Sequence, residues 1–415
     1  MRYCTKCVYP SASAVPLTFD NNGACSGCRV AEQKKNINWE ERAKIFKDLV
    51  YKYKDKSNYD CLIPVSGGKD SYFQTHYITQ ILGLKPLLVT YHGNNYLPEG
   101  ERNLYKMRKA FDVDHIIFKP SEKLLIKMNR LCFKKMGDMN WHNHCGIFTY
   151  PVQIAVKFKI PLIIWGEHGY TDLGGMYSMN DFIEMTAKYR LEHAQRGFDW
   201  YDMIDEEEEI TEKDLLWAKY PSDKELEKNK IRGVYLSNYI DWDANKHVKI
   251  VKELYDWEES QQPFDRTYRK MSNIDDMHEN GAHDYLKYIK FGYGRASDHA
   301  CKDIRSGHMT REKGIEMVKK YDHVKPKDLK RWYEYTGMSE EEFDKISDTF
   351  RDSRVWWKDK ERNWTKTNIW DSSEENERKE KEKNEYWEKH QKEYDNREIE
   401  RERLWQEYRK RANKK

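Results

Sequence analysis

The segment Tyr59 to Ser71, YDCLIPVSGGKDS, constrains this chain more than any other, because a short apolar run stops abruptly in two glycines, a lysine, an aspartate and a serine. Cys61, Leu62, Ile63 and Val65 suit a buried central strand. Gly67 and Gly68 supply backbone conformations and close approaches that a side chain would block. From Lys69 to Leu82, Tyr72, Phe73, His76, Tyr77 and Ile81 recur at helical spacing, so the loop's amides are expected at a helix N-terminus carrying about half a positive charge. The segment reads as a strand feeding a phosphate loop.

A nucleoside triphosphatase loop of the GxxxxGK[ST] kind is excluded, since it would need glycine at Ile63 and Ser or Thr at Asp70. SGGKDS instead resembles the PP-loop of the ATP pyrophosphatases, which split ATP between the α and β phosphates and adenylate a carbonyl oxygen. That resemblance implies ATP binding by Ser66, Gly67, Gly68, Lys69, Asp70 and Ser71. Lys69 would hold phosphate charge, Asp70 would order the loop or its metal, and Ser71 completes the catalytic set.

The following chain alternates. Strands are expected at Lys85 to Tyr91, Asp114 to Phe118 and Pro161 to Trp165, with helices at Glu99 to Phe111, Ser121 to Lys135 and Ile147 to Lys157. This pattern predicts an α/β fold with a parallel sheet and ligands at the strands' carboxyl ends. Ser66, the turn at His92, Gly93 and Asn94, and Gly166 with Glu167 should then meet at one nucleotide site. Glu167 is a candidate ligand for Mg2+ on the polyphosphate, because hard cations prefer carboxylate oxygens; His168 and Asp172 are weaker ones.

Before the sheet, Cys4 and Cys7 with Cys25 and Cys28 form two CxxC pairs, the spacing of a tetrahedral, structural Zn2+ site. A linking helix is expected over Asn38 to Lys54. With 415 residues, two or three domains are expected. The division drawn is a Cys4 zinc module at 1–35, a PP-loop domain at 36–200, a mainly helical substrate-binding region at 201–370 and a charged helical tail at 371–415. A net charge of +3 argues against a dedicated nucleic-acid binder, and the sequence shows no membrane span, so a cytoplasmic enzyme is expected.

Residues 196–230, with Glu206 to Glu209 in a row, read as a solvated excursion. Leu286 to Lys313 is basic and interrupted at Gly292 and Gly294, which suits an anion site using Lys290, Arg295 and Arg305. Lys325 and Pro326 open a helix that closes at Gly337, and Ser339 with Glu342 marks the next. Past Ser372 the charge pairs Glu385/Lys389, Glu388/Lys392, Glu393/Arg397 and Glu407/Arg411 predict one long exposed helix, with Trp387, Tyr394, Trp405 and Tyr408 as a sparse apolar stripe.

Together CTKCVYP, GACSGC, VSGGKDS, HCGIFTYPVQIA, PLIIWGE and HDYLKYIKFGYGRASDHACKDIR resemble one family, the N-acetyl sugar amidotransferases of surface-polysaccharide and nonulosonate biosynthesis (WbpG and PseA type). The resemblance covers residues 1 to about 365 and leaves the tail out. It implies conversion of an acetamido group on a nucleotide-activated N-acetyl sugar into an acetamidino group, with ATP and ammonia, as in lipopolysaccharide O-antigen assembly. It also implies a separate glutaminase and synthase pair, like the imidazole-glycerol-phosphate synthase of histidine biosynthesis, as ammonia source. None of the eight cysteines sits in a Gly-x-Cys-x-Gly elbow, so the chain has no glutaminase nucleophile of that kind. The alternatives are a PP-loop tRNA thiolation enzyme, which would need further paired cysteines where Cys132, Cys145 and Cys301 stand singly, and a non-catalytic nucleotide-binding scaffold.

Overall fold

The computed structural model describes residues 1–15, 17–93, 95–271 and 278–399. Its centre is a five-stranded sheet in which every pair is parallel: β1 Cys61–Pro64, β2 Pro86–Tyr91, β3 His115–Phe118, β4 Leu162–Trp165 and β5 Arg232–Tyr235, in the order β3-β2-β1-β4-β5. Leu62 sits between Leu87 and Ile163, and Ile163 faces Gly233 on its other side. β2 and β4 are buried along their whole length, as expected of parallel strands covered on both faces.

The side-chain alternation sorts the core. Cys61, Ile63 and Leu88 face a layer that holds Phe46, Val50 and Ile78, whereas Leu62, Val89 and Ile163 face Val152 and Ala155 of the helix Trp141–Phe158. From β1 the chain steps out to β2 and β3, then returns to β4 and β5 on the other side. The order therefore reverses between β1 and β4, where open α/β sheets bind ligands outside the strands' carboxyl ends.

Four expectations change. The boundary at residue 200 cuts through the sheet, since β5 pairs with β4 along its length and the helix Ala244–Tyr255 packs beside the helix Lys69–His76. The stretch 196–230 is not a solvated excursion: Met203, Ile210, Leu215 and Trp217 are buried, and Glu208 pairs with Arg130. The helix expected from Ile147 begins at Trp141, bringing His142 and His144 onto it. The helix after the loop runs as α-helix over Lys69–His76 and continues as a π-turn, Tyr77–Ile81.

The C-terminal region is helical, with Asn280–Phe291, Arg295–Arg305, Arg311–Tyr321, Asp328–Thr336 and Glu340–Thr349, followed by a small hairpin of β6 Trp357–Lys358 and β7 Trp364–Thr365. Ser339 caps its helix by accepting from the Glu342 N–H, and Gly337 ends the preceding one with φ +74°. The tail is docked and broken. Ser373–Lys389 stops at His390, helix resumes over 391–399, and Trp387 is buried with its indole N–H on the Trp356 carbonyl at 3.1 Å. Arg397 forms the expected pair with Glu393 and also donates to the Arg351 carbonyl. Asn94, Trp405, Tyr408 and the Glu407/Arg411 pair lie outside the described residues. Among the described residues no helix is long and apolar enough to cross a membrane.

Candidate active site

β1 ends at Pro64, and the loop that follows is wound tightly on itself. The Ser66 N–H donates to Ser71 Oγ at 3.0 Å and the Gly68 N–H to Ser66 Oγ at 3.3 Å. Gly67 has φ +88°, and a Cβ there would lie 2.7 Å from the Leu104 nitrogen, so no other residue fits without displacing the backbone. Gly68 differs from expectation: its φ is −68° and a Cβ would meet only Ser66 Oγ, at 3.4 Å. It leaves open space at the N-terminus of Lys69–His76, where a phosphate is favoured.

Lys69 is 1% exposed, with its ammonium 3.0 Å from Asp70 Oδ2, while the other oxygen, Oδ1, is 2.8 Å from His247 Nδ1. Burial alone would push the Asp70 carboxyl up, but Lys69 and His247 outweigh it and hold the group well below the usual carboxylate range. Asp70 is thus a charged clasp between Lys69 and His247. His247 is itself fixed by stacking on Phe73 at 3.7 Å and an edge contact with Trp242 at 4.6 Å. Trp257 donates its indole N–H to the Gly67 carbonyl at 3.0 Å and braces the loop from the far side. His247 and Trp257 carry no sequence motif and were missed by sequence reasoning; only the fold brings them to residues about 180 positions earlier.

The β4 exit lies beside the loop. Gln74 of the loop helix donates to the Ile164 carbonyl at 2.5 Å, and a Cβ on Gly166 would touch Gln74 and Trp242 at 3.2 Å. Glu167 Oε1 is 2.6 Å from Lys302 Nζ, which also reaches Asp172 Oδ2 at 3.0 Å, and Asp172 Oδ1 takes Lys34 at 2.5 Å. Burial pushes the Glu167 carboxyl up to about 7, with the negative charges of Asp172 and Asp70 adding to it and Lys302 opposing. These residues border a cavity of about 510 Å³ lined also by Trp242, Asn245 and His308. The SGGKDS residues do not line this cavity; Asp70 connects to it through His247 and Trp242. His168 is turned inward, its Nδ1 capping the short helix Gly169–Gly174 through the Thr171 N–H at 3.2 Å. His92 is likewise occupied, 3.0 Å from Glu101 and stacked on Tyr96.

The three basic residues expected to share one anion site occupy three environments. Arg295 holds Asp284 through two nitrogens, at 2.9 and 2.7 Å, and lies 3.5 Å from Asp298. Arg305 donates to the Asp172 and Leu173 carbonyls at 3.0 and 2.9 Å and lies 3.4 Å from Cys25 Sγ. Lys290 sits elsewhere, its ammonium 3.5 Å from the Met136 carbonyl. Between Arg295 and Arg305, His299 is buried on Thr267 at 2.6 Å; burial and then the positive charges of Arg269, Arg295, Lys302 and Lys69 keep it neutral. The helix Arg295–Arg305 thus joins the segment after β4 to the cysteine module.

The four N-terminal cysteines are buried, and all their sulfurs lie within 4.8 Å of one another. Cys4 and Cys28 are 3.9 Å apart, Cys7 and Cys25 3.7 Å, close to the ~3.8 Å edge of a tetrahedron with metal–sulfur bonds of about 2.3 Å. N–H groups of Lys6, Cys7 and Cys25 point at Cys4 Sγ from 3.2 to 3.4 Å. This donor set fits one thiolate-bound metal ion. Cys301 packs into the same cluster of buried residues, and Tyr9 donates to Asp298 at 2.5 Å, so the module is seated on the helix Arg295–Arg305.

The family described as "LPS biosynthesis protein WbpG-like, C-terminal domain" matches residues 264–371. An uncharacterized protein of Methanocaldococcus jannaschii is 26% identical over 115 residues, 28% of this chain and 41% of its own length, so the chain spans about two fifths of that relative. Among solved structures, NMN synthetase from Francisella tularensis aligns over 74% of this chain and 96% of its own, at 10% identity and TM-score 0.33. The NH3-dependent NAD synthetase of Campylobacter jejuni aligns over 47% and 93%, at 11% identity and TM-score 0.27. The tRNA thiolase NcsA of Methanococcus maripaludis aligns over 74% and 87%, at 13% identity and TM-score 0.30. Residues 264–371 of this chain thus match the WbpG-like C-terminal domain, and they follow a parallel sheet whose first strand runs into the SGGKDS loop.

Proposed function

We propose that the chain is an ATP-dependent amidotransferase that adenylates the acetamido carbonyl oxygen of a nucleotide-activated N-acetyl sugar and replaces that oxygen with ammonia. The observation that carries the reading is the match of residues 264–371 to the WbpG-like C-terminal domain in a chain whose first sheet strand ends in SGGKDS. An amide carbonyl is a poor electrophile and its oxygen a poor leaving group. Attack of that oxygen on the α phosphorus of ATP expels pyrophosphate. Ammonia then adds to the carbon, and AMP leaves with the oxygen. No side-chain nucleophile is needed; the chain supplies position and positive charge.

In this scheme the loop amides and Lys69 hold the phosphates, with Lys69 aimed by Asp70 and His247. Gly166 and Glu167, at the β4 exit beside the loop helix, are assigned to the same nucleotide site. Magnesium would arrive on ATP: among the described residues the four cysteines are the only group of three or more candidate metal ligands, and Glu167 is paired with Lys302. Mg2+ commonly binds through one or two carboxylates and substrate phosphates, and Glu167 could serve if Lys302 turned to the phosphates. The ion assigned to the four cysteines is zinc, in a structural role, because four thiolates leave no open position.

The cysteines outside the cluster, Cys61, Cys132, Cys145 and Cys301, are all buried, which suits a chain that takes ammonia from a separate glutaminase and synthase pair. The test supplies ATP, magnesium, candidate nucleotide-linked acetamido sugars and either ammonium or glutamine, and follows the sugar by mass spectrometry. Exchange of one oxygen for NH with ammonium, and none with glutamine until the partner pair is added, is expected. Glutamine-driven exchange by this chain alone would contradict the ammonia assignment, and ADP as product would contradict the reaction.

A further inference from the structure

Two stretches far apart in sequence, 138–144 and 283–290, meet at one buried carboxylate. Asp138 is 2% exposed, and both its oxygens are engaged: Oδ2 by the Arg196 guanidinium, Oδ1 by His283 Nδ1 at 2.9 Å and by the Asn140 N–H at 3.0 Å. Arg196 commits one guanidinium nitrogen to this pair, yet 39% of its side chain is open to solvent. Its backbone is left-handed, φ +54°, followed by Gly197 at +81°. A non-glycine residue held there costs about 1 kcal/mol or more, a conformation that persists where the surroundings enforce it and that clusters at ligand sites.

Lys290 faces the same cluster. It stands two turns past His283 on the helix Asn280–Phe291, its ammonium 3.5 Å from the carbonyl of Met136, two residues before Asp138; burial and the charge of Arg196 push it down to about 7, with Asp138 opposing. His144 approaches His283 with ring centres 5.6 Å apart, and its Nε2 is buried without a partner. Tyr170, three residues past Glu167, donates its hydroxyl at 3.0 Å to the carbonyl of His193, three residues before Arg196, which ties the cluster to the segment after β4. One carboxylate, Asp138, thus faces a guanidinium, a histidine and a lysine, an excess of donors that suits an added oxyanion. A cation such as ammonium would be repelled by Arg196 and Lys290. Arg295 and Arg305 cannot fill this role in the structure, because Asp284 and the cysteine sulfurs already occupy them.

We propose that Arg196 and Lys290, anchored by Asp138 and His283, form a second phosphate-binding subsite, separate from the SGGKDS loop, that takes the diphosphate of the nucleotide-linked substrate. The assignment of that ligand rests on the amidotransferase reading; the anion site itself does not. Bidentate guanidinium contacts and a recharged lysine suit phosphate oxygens.

The test is titration calorimetry of the full chain with UDP and with GDP as probes, with α,β-methylene-ATP saturating the loop. Wild-type protein is expected to bind at least one of the two. Arg196→Ala and Lys290→Met should each weaken that binding tenfold or more, with Arg196→Lys intermediate, and leave the affinity for α,β-methylene-ATP within twofold. Thermal melting checks the fold, and Lys290→Met, which removes charge with little change of volume, stands in if Arg196→Ala does not fold. Absence of diphosphate binding, equal binding by the variants, or an equal loss of ATP-analogue binding would overturn the proposal. Arginine-dependent diphosphate binding in a protein that makes no amidino product would refute the reaction and leave the subsite standing.

Discussion

Replacing Lys69 with methionine is expected to lower ATP cleavage about a hundred- to a thousandfold, the range seen when one preorganised charge-stabilising group is removed from an active site. The side chain is 1% exposed and similar in length to methionine, so the variant should fold. The lost ammonium leaves Asp70 with His247 and removes a buried positive charge at the loop. Asp70→Asn should fall by less, because Lys69 keeps its charge while its aim loosens. The readout is release of AMP and pyrophosphate, with melting temperature measured alongside. Undiminished AMP release by Lys69→Met would show that the loop is not the phosphate site.

The second large effect is expected at the N-terminus. Four buried thiols within 4.8 Å of one another repel when ionised unless a cation joins them, and structural zinc contributes roughly 10 to 16 kcal/mol in small zinc peptides. Purified protein should contain one zinc per chain, and Cys4→Ser or Cys25→Ser should lose it and expose the first 30 or so residues to protease. Activity should fall too. Arg305 bridges the sulfurs to the Asp172 and Leu173 carbonyls, and Lys34, from the helix Ser26–Lys35, pairs with Asp172. Collapse of the module would therefore release the segment after β4. Iron with a charge-transfer absorption lost in the cysteine variants, in place of zinc, would contradict the assignment.

The sheet was legible in the sequence because each strand is a short apolar run next to a loop with its own chemistry. β1 Cys61–Pro64, β2 Pro86–Tyr91 and β4 Leu162–Trp165 lie within a residue of the expected runs. β5 was obscured because Arg232 and Gly233 dilute its apolar signal, and the boundary was consequently drawn too early. The excursion at 196–230 misled through its acidic residues. Its buried positions, Met203, Ile210, Leu215 and Trp217, follow no helical or strand period because they lie on short 3-10 turns and loops. At the site, the loop and the cysteine pairs were readable since their spacing is local. His247, Trp257, Asp138 and Arg196 were not, because each acts through a partner more than 50 residues away. The basic run at 287–313 had the right composition, but one helix face seats the cysteine module while others meet Asp284 and Met136, so charge density in sequence did not become one patch in space.

The central claim is that the acetamido oxygen is the atom adenylated. The most direct measurement uses a nucleotide-linked acetamido sugar labelled with oxygen-18 in the acetyl carbonyl, incubated with the protein, ATP, magnesium and ammonium. Mass spectrometry of the products should find the label in AMP, in amounts equal to the amidino sugar formed, and none in pyrophosphate. Label retained in the sugar, or released to pyrophosphate or water, would contradict the account.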